Sequence, residues 1–294
     1  MSKKKKRRFG DRRDGRRVKA PGLQTVMGYL FPKRTDCEVY LHDSIDCTEV
    51  LKYIEKKNAE NPAYKTTLFH CAITSMARML RERPLMNRFI QGYVMYERDE
   101  ISLSFVVKRR FADGAEESLM VLVPKDSDTL DDISKKIVGE VSETRKSEHS
   151  TGGIDAVLDA FAALPRIVLI VAIRIIRWLD FWGINPKVLT DGDPNYSTIL
   201  CANLGSIKAP AVYHHLNNYG TNSIMVTIGT IHKEKKIMPD GSEQIRDLVD
   251  FGVTLDERIA DGFYFARSLK LIQYIFENPE MLEKPLGEPS GFQY

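Results

Sequence analysis

Near the C-terminus, two stretches of opposite periodicity are joined by a connection too short to let them fold apart. Asp247 to Leu255 is an apolar, strand-prone run. A second such run, Ile224 to Ile231, precedes it, and Asp240-Gly241 lies between them as a turn signal. This spacing predicts a β-hairpin. The hairpin leads straight into Asp256-Glu257-Arg258-Ile259-Ala260-Asp261-Gly262, and then into apolar residues at Phe265, Leu269, Ile272 and Phe276, before Pro279. Those four positions share one helical face, and the proline stops the helix. The helix can bury that face only by folding back over the sheet that the hairpin begins.

The rest of the chain interleaves the same two periodicities. Asp46-Cys47-Thr48-Glu49 has the spacing of a capping box ahead of Val50, Leu51 and Ile54, which predicts a short helix. Leu68, Ala72, Ser75, Met76 and Met79 predict a second helix over 67–82, ended by Pro84. Ile101 to Arg110 alternates, Asp113-Gly114 turns, and Leu119 to Val123 returns as a hairpin. Leu130, Ile133, Ile137 and Val141 recur at helical spacing. Strands and helices mixed in this way predict an α/β class fold, an α+β two-layer sandwich with helices over a mixed sheet.

Charge is unevenly placed. The first nineteen residues hold eleven Lys or Arg against two Asp, although the net charge of the whole chain is only +3. The run Lys3 to Arg8 repels itself and has nothing apolar to bury, so 1–19 is expected to be a disordered polybasic tail. No apolar stretch follows it as a secretory signal would require. Cys37, Cys47, Cys71 and Cys201 show no paired metal spacing and read as reduced thiols of a cytoplasmic protein. No metal site is expected. His214-His215 falls in an expected helix after Pro210, where adjacent side chains point to different faces, and His70 reads as a satisfied core or rim residue. Glycine spacing gives no phosphate loop.

The heptapeptide Asp256 to Gly262 resembles the Asp-His-Arg-x-x-Asp-Gly motif of the acyltransferase (E2) catalytic domains of 2-oxoacid dehydrogenase complexes, which belong with the chloramphenicol acetyltransferases. Other fragments resemble that family in the same order. Ile45 to Val50 is similar to its strand end before the first helix. Leu68 to Pro84 with Met86-Asn87 is similar to its helix, Pro, x, x, Asn passage. Cys201-Ala202-Asn203-Leu204-Gly205-Ser206 is similar to Ile-Ser-Asn-Leu-Gly-Ser, and Phe263 to Pro279 to its closing helix. The resemblance runs from about Ala20 to Lys284. It implies a chloramphenicol acetyltransferase-like domain over 20–284, with 285–294 as a C-terminal tail.

The departures from the family fall on the chemistry. By this resemblance a histidine takes the thiol proton of CoA or dihydrolipoamide, and a serine hydroxyl steadies the oxyanion. Glu257 stands at the histidine position and Ala202 at the serine position. An oxyanion donor is worth about 2.7–4 kcal/mol and general-base help about 10²–10⁴-fold. A carboxylate replaces imidazole as a base only where its surroundings raise its proton affinity. The inert alternative pairs Glu257 with Arg258 or a basic residue of the tail. The resemblance further implies that Asp261 holds the loop through a buried ion pair, with Arg16, Arg17 or Lys19 as partner, and that Gly262 eases entry into the helix.

One segment, 151–194, has no counterpart in the family beyond a short connection. Stepping 100° per residue, Arg166, Arg174 and Arg177 fall within about 80° of one another and leave a broad apolar surface. That run is too short to span a bilayer, which needs about 20 residues. The first expectation is burial, over the domain or in an oligomer interface. The second is a membrane interface, with Trp178 and Trp182 as anchors and the basic tail as an electrostatic signal. Three functional readings follow: a catalytically degenerate homotrimer or larger homo-oligomer used for binding or structure; an active acyltransferase using Glu257 as base; and a peripheral scaffold on an anionic membrane surface at the inner face of the membrane. CoA or acyl-CoA is the expected substrate and no cofactor is held covalently. An acyl-carrier or lipoyl-bearing partner would supply the domains this sequence does not carry, and nucleic acid is not an expected partner.

Overall fold

A computed structural model describes residues 11–60, 62–108, 117–146 and 160–293. In chain order the elements are β1 (Gly15–Arg17), α1 (Gly22–Leu30), β2 (Glu38–Asp46), α2 (Thr48–Ala59), α3 (Leu68–Glu82), β3 (Arg88–Gln91), β4 (Val94–Arg98), β5 (Leu103–Lys108), β6 (Glu117–Leu122), α4 (Leu130–Lys146), α5 (Arg166–Phe181), α6 (Lys187–Thr190), β7 (Ile199–Asn203), β8 (Ile224–Ile237), β9 (Glu243–Asp256) and α7 (Gly262–Glu277). Six strands form one mixed sheet in the order β2-β9-β8-β7-β5-β6, and β1-β4-β3 form a small second sheet. Among the described strands only β7 pairs in parallel, with β5 on one side and β8 on the other.

Alternation decides which face of the large sheet is buried. Ile224, Val226 and Ile228 of β8, Phe251, Val253 and Leu255 of β9, and Ile199 and Cys201 of β7 all belong to one core cluster with residues of α2, α3, α4 and α7. Helix α3 is buried at every position from His70 to Leu80. From α7 the core takes Phe265, Leu271, Ile272, Ile275 and Phe276. Fully burying a side chain such as Phe276 stabilises the fold by about 1.5–3 kcal/mol. The result is the helix-over-sheet sandwich expected from the interleaved periodicities, and the Asp113-Gly114 turn lies outside the described residues.

Several local expectations are corrected. Helix α2 begins as foreseen, but no capping box forms: Asp46 accepts from the Thr48 amide at 3.0 Å, while Glu49 pairs with Lys52 and Arg246. The segment 208–223 is not helical. It runs over the open face of the sheet, where Thr230 N donates to Ala209 O, Val212 N to Thr227 Oγ1, and Leu216 N to the Glu38 carboxylate. Residues 11–19 are not a solvated tail. Arg12 is fully buried and β1 pairs with β4, because Arg12 finds two carboxylates, Asp14 and Asp180, that neutralise it. The run Lys3 to Arg8 lies outside the described residues. Nor do the described residues 285–293 hang free as a tail: buried Arg78 donates to the carbonyls of Met281, Lys284, Pro285 and Glu288, and Ser290 bonds Glu82.

Candidate functional site

Strand β9 ends at Asp256, and four residues separate it from the cap of α7. Asp256 has no exposed surface. Its Oδ1 accepts from the Arg258 amide at 3.2 Å and from Arg258 Nε at 2.8 Å, and its Oδ2 accepts from Arg258 Nη2 at 2.6 Å. Such a two-pronged buried pair is strong only with this geometry. Arg258 Nη1 donates onward to Phe31 O at 2.8 Å, and the Glu257 amide donates to Cys37 O at 2.9 Å. Burial works against the charge on Arg258, but the Asp256 carboxylate more than offsets it and holds the guanidinium above its ordinary value. The loop is therefore clamped to the segment between α1 and β2.

Asp261 takes a different part from the one the resemblance implies. It is exposed and caps α7, accepting from the Tyr264 amide at 2.8 Å. Arg16 instead pairs with Asp99 at 2.9 Å, and neither Arg17 nor Lys19 is joined to Asp261. The buried pair of this loop is Asp256–Arg258, reinforced by Arg34, whose Nε stands 3.8 Å from Asp256 Oδ2. Gly262 has ordinary helical backbone, and a Cβ there would meet nothing within 4 Å, so nothing in the structure demands glycine.

Glu257 is half-buried, and its carboxylate has no hydrogen bond or ion pair among the described residues. Arg258 is committed to Asp256 and Phe31, so the expected Glu257–Arg258 pair does not form. Nearby Cys37 is no substitute nucleophile, because burial pushes its thiol up to about 11.

Ala202 lies on β7, level with Thr227 of β8 and, through it, with Gly252 of β9. Asn203 ends the strand, and Leu204–Ile207 makes a tight turn in which Ser206 Oγ donates to Asn203 O at 2.8 Å. Gly205 is required there, since a Cβ would stand 2.5 Å from Gly229 O at the bulge in β8. Asp256 lies four residues along β9 from Gly252, which separates Ala202 from the Glu257 loop by about 13 Å along the strands and about 10 Å across them. A single copy of the chain does not bring the two positions together.

The insert is the largest surprise. Helix α5 does not cover the domain. Ile167 is 77% exposed, Trp178 60% and Trp182 65%, and Arg166, Arg174 and Arg177 are exposed as well. Among the described residues its last turn is the part fastened by hydrogen bonds: Asp180 is buried against Arg12 and accepts from Gln91 at 2.8 Å. Where this turn meets the loop between β3 and β4, a cavity of about 310 Å³ opens, lined by Lys33, Arg34, Tyr93, Arg177, Trp178 and Arg258 among others. Sequence reasoning missed Lys33 and Arg34, which sit in an irregular stretch with no periodicity to mark them.

No group of three or more His, Cys, Asp or Glu among the described residues could hold a metal ion. His42 and His232 flank Asp250, each at 3.8 Å, midway along β9 and six residues before its end at Asp256.

Known structures match this architecture. A probable dihydrolipoamide acetyltransferase from Listeria monocytogenes 4b F2365 superposes with a TM-score of 0.59 and 16% identity, covering 94% of this chain and 97% of that one. The cubic core of the pyruvate dehydrogenase multienzyme complex superposes with a TM-score of 0.60 and 13% identity, covering 90% and 93%. The chain has the chloramphenicol acetyltransferase-like fold of E2 acyltransferase cores. In sequence, this E2-like chain is 22% identical over 239 residues to the lipoamide acyltransferase component of the branched-chain alpha-keto acid dehydrogenase complex of Bacillus subtilis (strain 168). That match takes in 80% of this chain but only 45% of the relative, so the chain spans less than half of the curated protein's length. No family model matches the sequence.

Proposed function

We propose that this chain is an E2-like acyltransferase module that has lost its thioester chemistry and serves as a homotrimeric, or larger, binding or structural unit. The observation that carries the reading is a loop with an intact scaffold around an unsupported carboxylate. Asp256–Arg258 and the bonds to Phe31 and Cys37 hold the backbone, while Glu257 lacks the third group that orients a working base. Ala202 offers no hydroxyl to an oxyanion. The separation of Ala202 from Glu257 within one protomer supports a homo-oligomer, because a site drawing on both positions needs two copies. CoA or acyl-CoA is the ligand class, and a lipoyl-bearing or acyl-carrier chain is the partner class, both in the cytoplasm.

The test is acetyl-CoA turnover with small thiol acceptors. The wild-type chain is expected to show none above background, and Glu257→His combined with Ala202→Ser to gain it. Wild-type turnover that disappears in Glu257→Gln overturns the reading in favour of a carboxylate base.

A second reading is favoured by α5. No helix among the described residues is long and apolar enough to cross a membrane, but α5 exposes isoleucines, Trp178 and three arginines, and its one acid is buried. This is the pattern of a helix lying in an anionic membrane interface.

A further inference from the structure

The cavity beneath the end of α5 carries more positive charge than the protein neutralises. Arg34 is buried, with Nη1 and Nη2 donating to the carbonyls of Asn217, Ile90 and Gly220, and its Nε has no hydrogen-bond partner. Carbonyls satisfy donors but do not cancel a charge. The carboxylate nearest Arg34 is Asp256, 3.8 Å from its Nε, and the oxygens of Asp256 already hold Arg258, so one carboxylate is shared by two guanidiniums. Asp180, also in the wall, is spoken for by Arg12 and Gln91. Burial pulls the Arg34 guanidinium down to about 10, as expected of a cation short of counter-charge. At the rim, Lys33 and Arg177 are exposed and pair with no acid among the described residues. Tyr93, Trp178 and Phe181 supply apolar walls, with the Tyr93 and Phe181 rings edge to face at 5.1 Å.

We propose that this cavity binds a phosphate monoester, with Lys33 and Arg177 on the phosphate, the buried Arg34 and Arg258 supplying the field behind it, and the ester's apolar body against Tyr93, Trp178 and Phe181. Two freely rotating rim cations suit a dianion, and a low-dielectric floor strengthens their attraction. The end of the insert, the 32–34 segment, the β3–β4 turn and 218–220 all contribute walls to the site, and it does not depend on acyl transfer. The same chemistry is offered by a soluble ester and by the phosphate headgroup of a lipid approaching along exposed α5.

The experiment measures binding of the full chain to adenosine monophosphate by calorimetry, and to phosphatidylcholine vesicles with and without phosphatidic acid by flotation. Lys33→Glu with Arg177→Glu removes only exposed side chains, so the fold survives. It is expected to weaken binding by about tenfold or more, while Lys270→Glu, exposed on α7 and outside the cavity, leaves it unchanged. Binding of the nucleotide alone identifies a soluble ester, and binding of phosphatidic acid vesicles alone identifies a lipid headgroup. No binding of either probe, or an equal loss in Lys270→Glu, overturns the proposal.

Discussion

His70 shows how one side chain ties secondary structure to solution behaviour. It stands third in α3, where its amide donates to Thr67 Oγ1 at 3.4 Å and its Nδ1 accepts from the Thr67 amide at 3.3 Å. Burial lowers its pKa from 6.5 to about 4, and a helix N-terminus also disfavours a cation. The folded state thus binds this proton more weakly than the unfolded state does. Stability is complete above about pH 6.5 and falls as pH drops towards 4, by up to about 3 kcal/mol. Urea denaturation between pH 7 and pH 4 should show a smaller acid loss in His70→Gln, which keeps an acceptor for the cap; parallel losses in the two proteins count against this. At the same scale, the motif residues were legible in Asp256 to Gly262, but their partners were not. A linear pattern marks the charges without saying that Asp256, rather than Asp261, is the one walled in with Arg258.

At the scale of elements, strands and helices with an unbroken period were readable: α3, α4, α7 and the β8–β9 hairpin stand where alternation and helical spacing put them. What misled was composition without periodicity. The basic N-terminal stretch has no apolar stripe, yet Arg12 reaches Asp180 at 2.8 Å and fastens the end of α5 to the small sheet. Gly92 lets the β3–β4 turn approach so closely that a Cβ would stand 2.1 Å from Phe181 O. Arg12→Met leaves Asp14 and Asp180 without their cation and is expected to cost about 3–5 kcal/mol. Arg13→Met, which loses a partly exposed pair with Asp191 and bonds to Thr190 Oγ1 and Asn185 O, should cost less, about 1–2 kcal/mol. Chemical denaturation of both variants checks this, and similar costs would remove Arg12 as the fastening. Asp261→Ala should cost about 1 kcal/mol through the lost cap of α7, read from the same curves.

For the whole molecule, α1 and α5 present apolar surface that one copy leaves open: Leu23 is 76% exposed and Ile167 77%. Tyr29 packs on Tyr93 and Tyr93 on Phe181, so the two helices share one continuous rim. A contiguous apolar face of this kind marks an interaction surface. Sedimentation is expected to give a trimer or a multiple of three, and a monomer at micromolar concentration contradicts the homo-oligomer. Ile167→Glu separates the two uses of α5: dissociation assigns the helix to the oligomer, whereas an intact oligomer with lost vesicle flotation assigns it to lipid.

Periodicity and the order of short motifs were enough to determine the sandwich and its closing hairpin–loop–helix unit, because each depends on neighbours in the chain. Only the folded arrangement decided that Asp256 carries the buried pair, that residues 11–19 are structural, that Ala202 and Glu257 stand apart, and that Lys33, Arg34, Arg177 and Arg258 converge on one cavity. Those outcomes turn on how buried charges far apart in sequence find counter-charges, and local propensity holds no record of such pairings.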